Sequence, residues 1–262
     1  VLDGPGRTAI HMTHRVGALL TAIIVGALVV RLLRESGASN RWRRLGVVVL
    51  GLGLWFLTQS LLGARTLPAG SEIAGQVLSK GDGLFRWSAP WHQTLVANET
   101  LADTLLICSS LVIDLIAIFI ILSSVFGATM RPFLALLMLF MLRQLCQGLS
   151  PLPAPTGMIW HHPGFPSLLV TYQVANDFFF SGHTAIAAIG ATELGRLGRR
   201  WWIPAVLVLL FEMATVIVLR AHYTMDVYAG IVSALLVAII AARVAPPVDR
   251  WLAGSSPPTA TP

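Results

Sequence analysis

The chain has 262 residues, 55% of them hydrophobic and 11% charged, and its mean hydropathy is +0.75. Hydropathy this high with so few charges excludes an ordinary soluble domain and indicates one membrane-embedded helical bundle. The net charge of +6 does not indicate nucleic-acid binding, because the arginines sit beside apolar runs, where topology signals lie.

Runs of about twenty apolar residues are long enough to cross the hydrocarbon core. Such runs predict an all-α integral membrane protein with about seven transmembrane helices, near residues 16–33, 45–62, 104–126, 132–149, 184–197, 201–219 and 227–242, the fifth being the shortest. The first run is too long for a signal-peptide core. Arg31, Arg34, Arg41, Arg43 and Arg44 cluster between the first two spans, Arg131 lies between the third and fourth, and Arg196, Arg199 and Arg200 lie between the fifth and sixth. Those connections are expected to be cytoplasmic. By contrast, the connection 150–180 has no Lys or Arg, and 63–103 balances its few charges, so both are expected outside. The N-terminus then lies outside and the C-terminus in the cytoplasm, and the short loops point to a bacterial plasma membrane.

Cys108 and Cys146 both fall inside apolar runs, so neither a disulfide framework nor a Cys-x-x-Cys metal site is readable. Trp42, Trp55, Trp201 and Trp202 lie near span ends, as aromatic-belt residues do. Around Pro151, Pro153, Pro155, Gly157, Pro163, Gly164 and Pro166 the chain cannot form a regular helix, which predicts a compact lid or re-entrant piece. Within it, His161 and His162 are adjacent, point apart and make poor metal partners, so a lipid-headgroup or solvent role is expected. The expected organisation is an extra transmembrane helix and basic loop over 1–44, a catalytic bundle over 45–245 and a disordered tail over 246–262. Three charges lie within spans, where they are costly. Arg143 is near enough to the outer end to hold a phosphate, whereas Asp114 and Glu212 are mid-span and suit a structural or protonated role.

The densest polar groupings are Asp177-Phe-Phe-Phe-Ser-Gly-His-Thr184 and Arg220-Ala-His-Tyr-Thr-Met-Asp226. His222 and Asp226 read as the opening of a helix, where i, i+4 residues share a face. Asp226 can then accept the Nδ1 proton of His222 and leave Nε2 as a nucleophile or base. Ser181-Gly182-His183-Thr184 reads as a serine-capped helix N-terminus, whose free N–H groups favour phosphate. His183 beside it can protonate a leaving oxygen. Asp177, Ser181, Gly182, Thr184, Arg143, Arg220 and Tyr223 are the candidate substrate-binding residues. On the expected topology the two groupings meet on the outer face.

From about Leu101 to Ala242 the chain resembles the sphingomyelin synthase-related proteins of the type-2 phosphatidate phosphatase superfamily. The resemblance rests on Arg131 and Arg143 flanking the fourth span, Pro151-Leu-Pro-Ala-Pro155, and the two polar groupings in order. It implies a six-helix lipid phosphatase or phosphotransferase core plus one N-terminal helix. It further implies that His222 is the phosphoryl-accepting nucleophile, that Asp226 orients it, that His183 serves as acid and base, and that Asp177 is an acidic neighbour of the site. Transfer would then run through a phosphohistidine without metal or other cofactor, between a phospholipid donor and a diacylglycerol or ceramide acceptor. Two departures, Arg220 only two residues before His222 and no Lys six residues before Arg131-Pro132, favour the synthase branch over the phosphatase branch. One further glutamate of the synthase site has no readable counterpart, which leaves the acceptor open. The alternatives are a lipid phosphate or isoprenyl diphosphate phosphatase using the same residues, a catalytically dead scaffold that keeps the fold, and a heme-associated protein, since Ile10-His-Met-Thr-His-Arg-Val-Gly-Ala18 resembles the His-Arg helix start of heme A synthase.

Overall fold

A backbone inside lipid must satisfy its own hydrogen bonds, and a helix does so within one segment. The computed structural model describes residues 25–34, 39–63, 70–170, 172 and 178–254, and among the described residues there is no strand. The helices are α1 (described over 25–34), α2 (Asn40–Gly63), α3 (Ser71–Gly81), α4 (Gly83–Trp87), α5 (Ala89–Ala97), α6 (Glu99–Phe126), α7 (Arg131–Leu149), α8 (Gly182–Arg196), α9 (Trp202–Val218) and α10 (Thr224–Ala253). Their starts follow local chemistry: the Asn98 side chain accepts from Leu101 N ahead of α6, the Asp82 side chain accepts from Leu84 N and Phe85 N ahead of α4, and Pro132 sits in the first turn of α7.

Five helices among the described residues, not seven, are long and apolar enough to cross a membrane: α2, α6, α7, α9 with the turn before it, and α10. The expected first span falls largely on residues outside those described, as does the 10–18 stretch. The expected fifth span is α8, whose 15 residues reach only about 22 Å. It differs from the others in being enclosed. Ala185, Ala187, Ile189 and Ala191 are buried, and α8 packs against α6, α7, α9 and α10. Small residues permit this close approach. A Cβ on Gly190 would lie 2.6 Å from Ile116 Cγ2, and one on Gly230 of α10 would lie 2.8 Å from the Ser181 carbonyl oxygen. The outer helices instead turn apolar residues outward, such as Leu115 and Leu122 on α6, Ile203 and Leu207 on α9, and Leu235 and Ile239 on α10. Such faces are a liability in water and are solvated in lipid.

At one end of the bundle Arg44 donates to the carbonyls of Ser124, Gly127 and Ala128, and Asp249 accepts from Thr129 Oγ1 and Met130 N. At the same end Arg131 grips Glu193 through two bonds of 3.1 and 2.6 Å. The Asp249 contacts lie beyond the expected start of a disordered tail at 246, because α10 continues through Pro246 and Pro247 to Ala253. Burial of Ala245 and Leu252 holds that last stretch on the bundle.

At the other end, the chain after α7 turns back into the bundle. Asp114 is buried roughly 22 Å along α6 from its start. Its carboxylate accepts from Ser167 Oγ (3.0 Å), Leu168 N (2.9 Å) and Leu169 N (3.1 Å), so the mid-span charge is matched by loop donors. Tyr172 and Ser110 share a hydrogen bond one helical turn away. Buried Glu212 accepts from Ser109 Oγ at 2.7 Å and ties α9 to α6.

Candidate active site

The turn between α9 and α10 carries His222. Ala221 N bonds back to Val216 O at 2.8 Å, and Arg220 adopts φ +54°, in the left-handed region. That turn lays His222 against Phe178, whose carbonyl oxygen lies 2.8 Å from His222 Nδ1. A carbonyl only accepts, so Nδ1 holds the proton and Nε2 of the neutral ring presents its lone pair. The partner differs from the expected one. Asp226 Oδ2 lies 3.8 Å from Nδ1 and instead accepts from Tyr223 N at 3.0 Å. The physical reason is register: α10 starts at Thr224, so His222 precedes the helix and shares no helical face with Asp226. The carboxylate closes the helix start and acts on His222 through its charge.

His183 stands in the first turn of α8. Ser181 Oγ accepts from Thr184 N and bonds the Thr184 hydroxyl at 3.0 Å, while Ser181 N donates to Asp226 O at 3.1 Å. Ser181 and Thr184 are fully buried and hold α8 onto α10, so their hydroxyls are already occupied. Gly182 faces the Arg143 guanidinium closely enough that a Cβ there would sit 3.3 Å from Nε. Arg143, buried near the end of α7, donates from Nε to Phe180 O at 2.8 Å.

These pieces enclose a cavity of about 60 Å³ lined by Arg143, Gly182, His183, His222 and the apolar or aromatic Trp55, Phe140, Trp160 and Phe178. His183 Nε2 is buried without a partner among the described residues, and Trp160 meets the ring edge-on at 5.2 Å. Two imidazoles and a guanidinium at one cavity can attack, protonate and hold a phosphate.

The structure thus brings His183, His222, Arg143 and Gly182 to one cavity, with Asp226 behind them. Arg220 and Tyr223 do not line it. Arg220 Nη1 donates to Thr156 O at 3.1 Å, and the Tyr223 hydroxyl donates to Pro153 O at 3.1 Å. Asp177 lies outside the described residues. Sequence reasoning missed Trp55 and Gln59, which α2 contributes to the wall; Trp55 is buried and stacks on Phe140 at 4.3 Å instead of joining an aromatic belt. It also missed the Phe178 carbonyl, which no side-chain pattern could announce. Glu99, Asp103 and His161 place one ligand atom each within 4.8 Å of one another, but none of them lines the cavity; His161 pairs with Asp103 at 2.6 Å.

A helical bundle with five helices long and apolar enough to cross a membrane, and with two histidines and an arginine at one cavity, defines an integral-membrane protein. Over residues 82–243, well over half its length, the chain matches AtPDCT1/2 and belongs to that family, phosphatidylcholine:diacylglycerol cholinephosphotransferase. It is therefore a membrane lipid headgroup phosphotransferase. This match overturns the resemblance to the sphingomyelin synthase-related proteins, which rested on short groupings that report a type of chemistry more than a lineage. No curated protein and no solved structure matches the chain.

Proposed function

We propose that the chain moves phosphocholine from phosphatidylcholine to diacylglycerol through a covalent intermediate on His222. The observation that carries this is the meeting of an accepting His222 Nε2, a buried His183 and the Arg143 guanidinium at one small cavity. His222 Nε2 attacks phosphorus, and the bond from phosphorus to the glycerol oxygen of the donor breaks. His183, charged as an imidazolium beside the substrate's phosphate anion, gives that oxygen its proton, and diacylglycerol departs. A second diacylglycerol then loses its hydroxyl proton to His183 and attacks phosphorus, which breaks the N–P bond and restores His222. No net proton or water is consumed, and the bonds broken and made are of one kind, so the exchange runs readily in either direction. Arg143 stabilises the charge that builds on the phosphate oxygens.

The test uses the full chain in phosphatidylcholine membranes with fluorescent diacylglycerol. Fluorescent phosphatidylcholine should form with wild type and not with His222→Ala. Free phosphocholine released in its place would mean that water is the acceptor and would overturn the transferase.

A further inference from the structure

A second cavity, of about 530 Å³, shares no lining residue with the first and has no part in the steps above. Lys80 from α3, Arg86 from α4 and Arg220 from the α9–α10 turn converge on it, with Gln76, Ser79 and Thr156 between them. Among the described residues no carboxylate lines it. The nearest acid in sequence, Asp82, is already occupied by Leu84 N, Phe85 N, Thr224 N and the Thr224 hydroxyl. Arg220 is aimed rather than loose: its guanidinium lies over the Phe85 ring at 5.4 Å, Nη1 is fixed to Thr156 O, and Nε is buried without a partner among the described residues. Its backbone sits at φ +54°, a conformation that needs support from its surroundings. Because Arg220 covers the Phe85 ring, that ring is closed to a quaternary ammonium, and the three cations favour an anion with several oxygens.

Position indicates where such an anion comes from. Ile73 and Val77 of α3, Trp87 of α4 and Trp91 of α5 are all exposed, and Trp87 and Trp91 pair at 4.7 Å. Short helices with outward Trp and aliphatic residues lie along a bilayer interface, which puts the cavity at headgroup depth.

We propose that this cavity is a phosphate site distinct from the His222 cavity, taking a phosphate monoester anion as presented by phosphatidic acid or by free phosphate. The test places the full chain in phosphatidylcholine nanodiscs and follows energy transfer from its tryptophans to phosphatidic acid carrying a dansyl-labelled acyl chain. Wild type should bind the labelled phosphatidic acid well ahead of labelled phosphatidylcholine. K80Q/R86Q should weaken the former roughly 25-fold, about fivefold for each cation lost near the membrane surface, and leave the latter alone. Failure of 10 mM inorganic phosphate to compete would identify the lipid as the source; full competition would identify free phosphate. The proposal is overturned if K80Q/R86Q matches wild type, or if phosphatidic acid binds no better than phosphatidylcholine.

Discussion

At the scale of single residues, the tautomer of His222 depends on one backbone oxygen, that of Phe178, and its electrostatics on Asp226. Asp226→Asn keeps an acceptor for Tyr223 N and loses the charge that would offset a cationic His222. Its kcat should fall roughly 10²-fold or more, the scale of removing one preorganised electrostatic partner, while its melting temperature stays close to wild type; unchanged kcat would remove Asp226 from the mechanism. Gly182→Ala puts a methyl group 3.3 Å from Arg143 Nε. Displacement of the guanidinium should lower headgroup exchange by up to roughly 10²-fold, and a variant as active as wild type would show that Arg143 has room to yield. His92 gives a pH dependence. It is buried in α5, its Nδ1 is 2.8 Å from Val218 O, and burial and Arg220 hold its pKa below the ordinary value. Since folding favours the neutral ring, the associated stability is complete above about pH 6.5 and is lost as pH falls below it. The melting temperature should therefore drop less between pH 7.5 and 5.5 in His92→Gln than in wild type, and equal drops would contradict this.

At the scale of elements, α8 and the re-entrant loop decide whether the cavity exists. Gly230→Ala would set a Cβ 2.8 Å from the Ser181 carbonyl, a backbone atom that cannot swing aside. Overpacking of this kind costs about 1–3 kcal/mol, so thermal stability in detergent and activity should fall together. Asp114→Ala leaves Ser167 Oγ, Leu168 N and Leu169 N without their acceptor. Of these donors Leu169 N is buried, and stranding a buried donor costs about 1–3 kcal/mol, so hydrogen exchange at Leu169 should accelerate; protection equal to wild type would mean that other groups hold the loop. These elements also mark what was legible in the sequence. His183, His222 and Arg143 stand out because polar groups are rare in apolar runs, and their shared cavity follows from helices that alternate in direction. The enclosure of α8 was hidden because an Ala- and Ile-rich run has the same hydropathy against protein as against lipid. The contribution of α2 was hidden for the same reason, since nothing local distinguishes Trp55 in a cavity wall from Trp42 at an exposed face. Asp114 looked like an isolated charge because its partners are loop amides more than fifty residues away.

At the scale of the whole molecule, Arg44, Arg131 and Asp249 gather at one end of the bundle, and Arg143 near the end of α7 and His183 at the start of α8 bring the cavity toward the other. From the bias of arginines toward the cytoplasm we propose that the cavity faces the opposite side of the membrane. Phe165, exposed on the re-entrant loop, reports this directly. In a background with Cys108 and Cys146 replaced by serine, Phe165→Cys should react with an impermeant thiol reagent added outside intact cells, and reaction only after lysis would reverse the orientation. The central claim is the covalent step on His222. The most direct measurement is to incubate the full chain with phosphatidylcholine bearing a deuterated choline headgroup, without diacylglycerol, quench rapidly, and map the modified peptide by mass spectrometry. The account predicts a labelled phosphocholine adduct on His222 that disappears when diacylglycerol is added; exchange that proceeds at full rate with His222 never modified would contradict it.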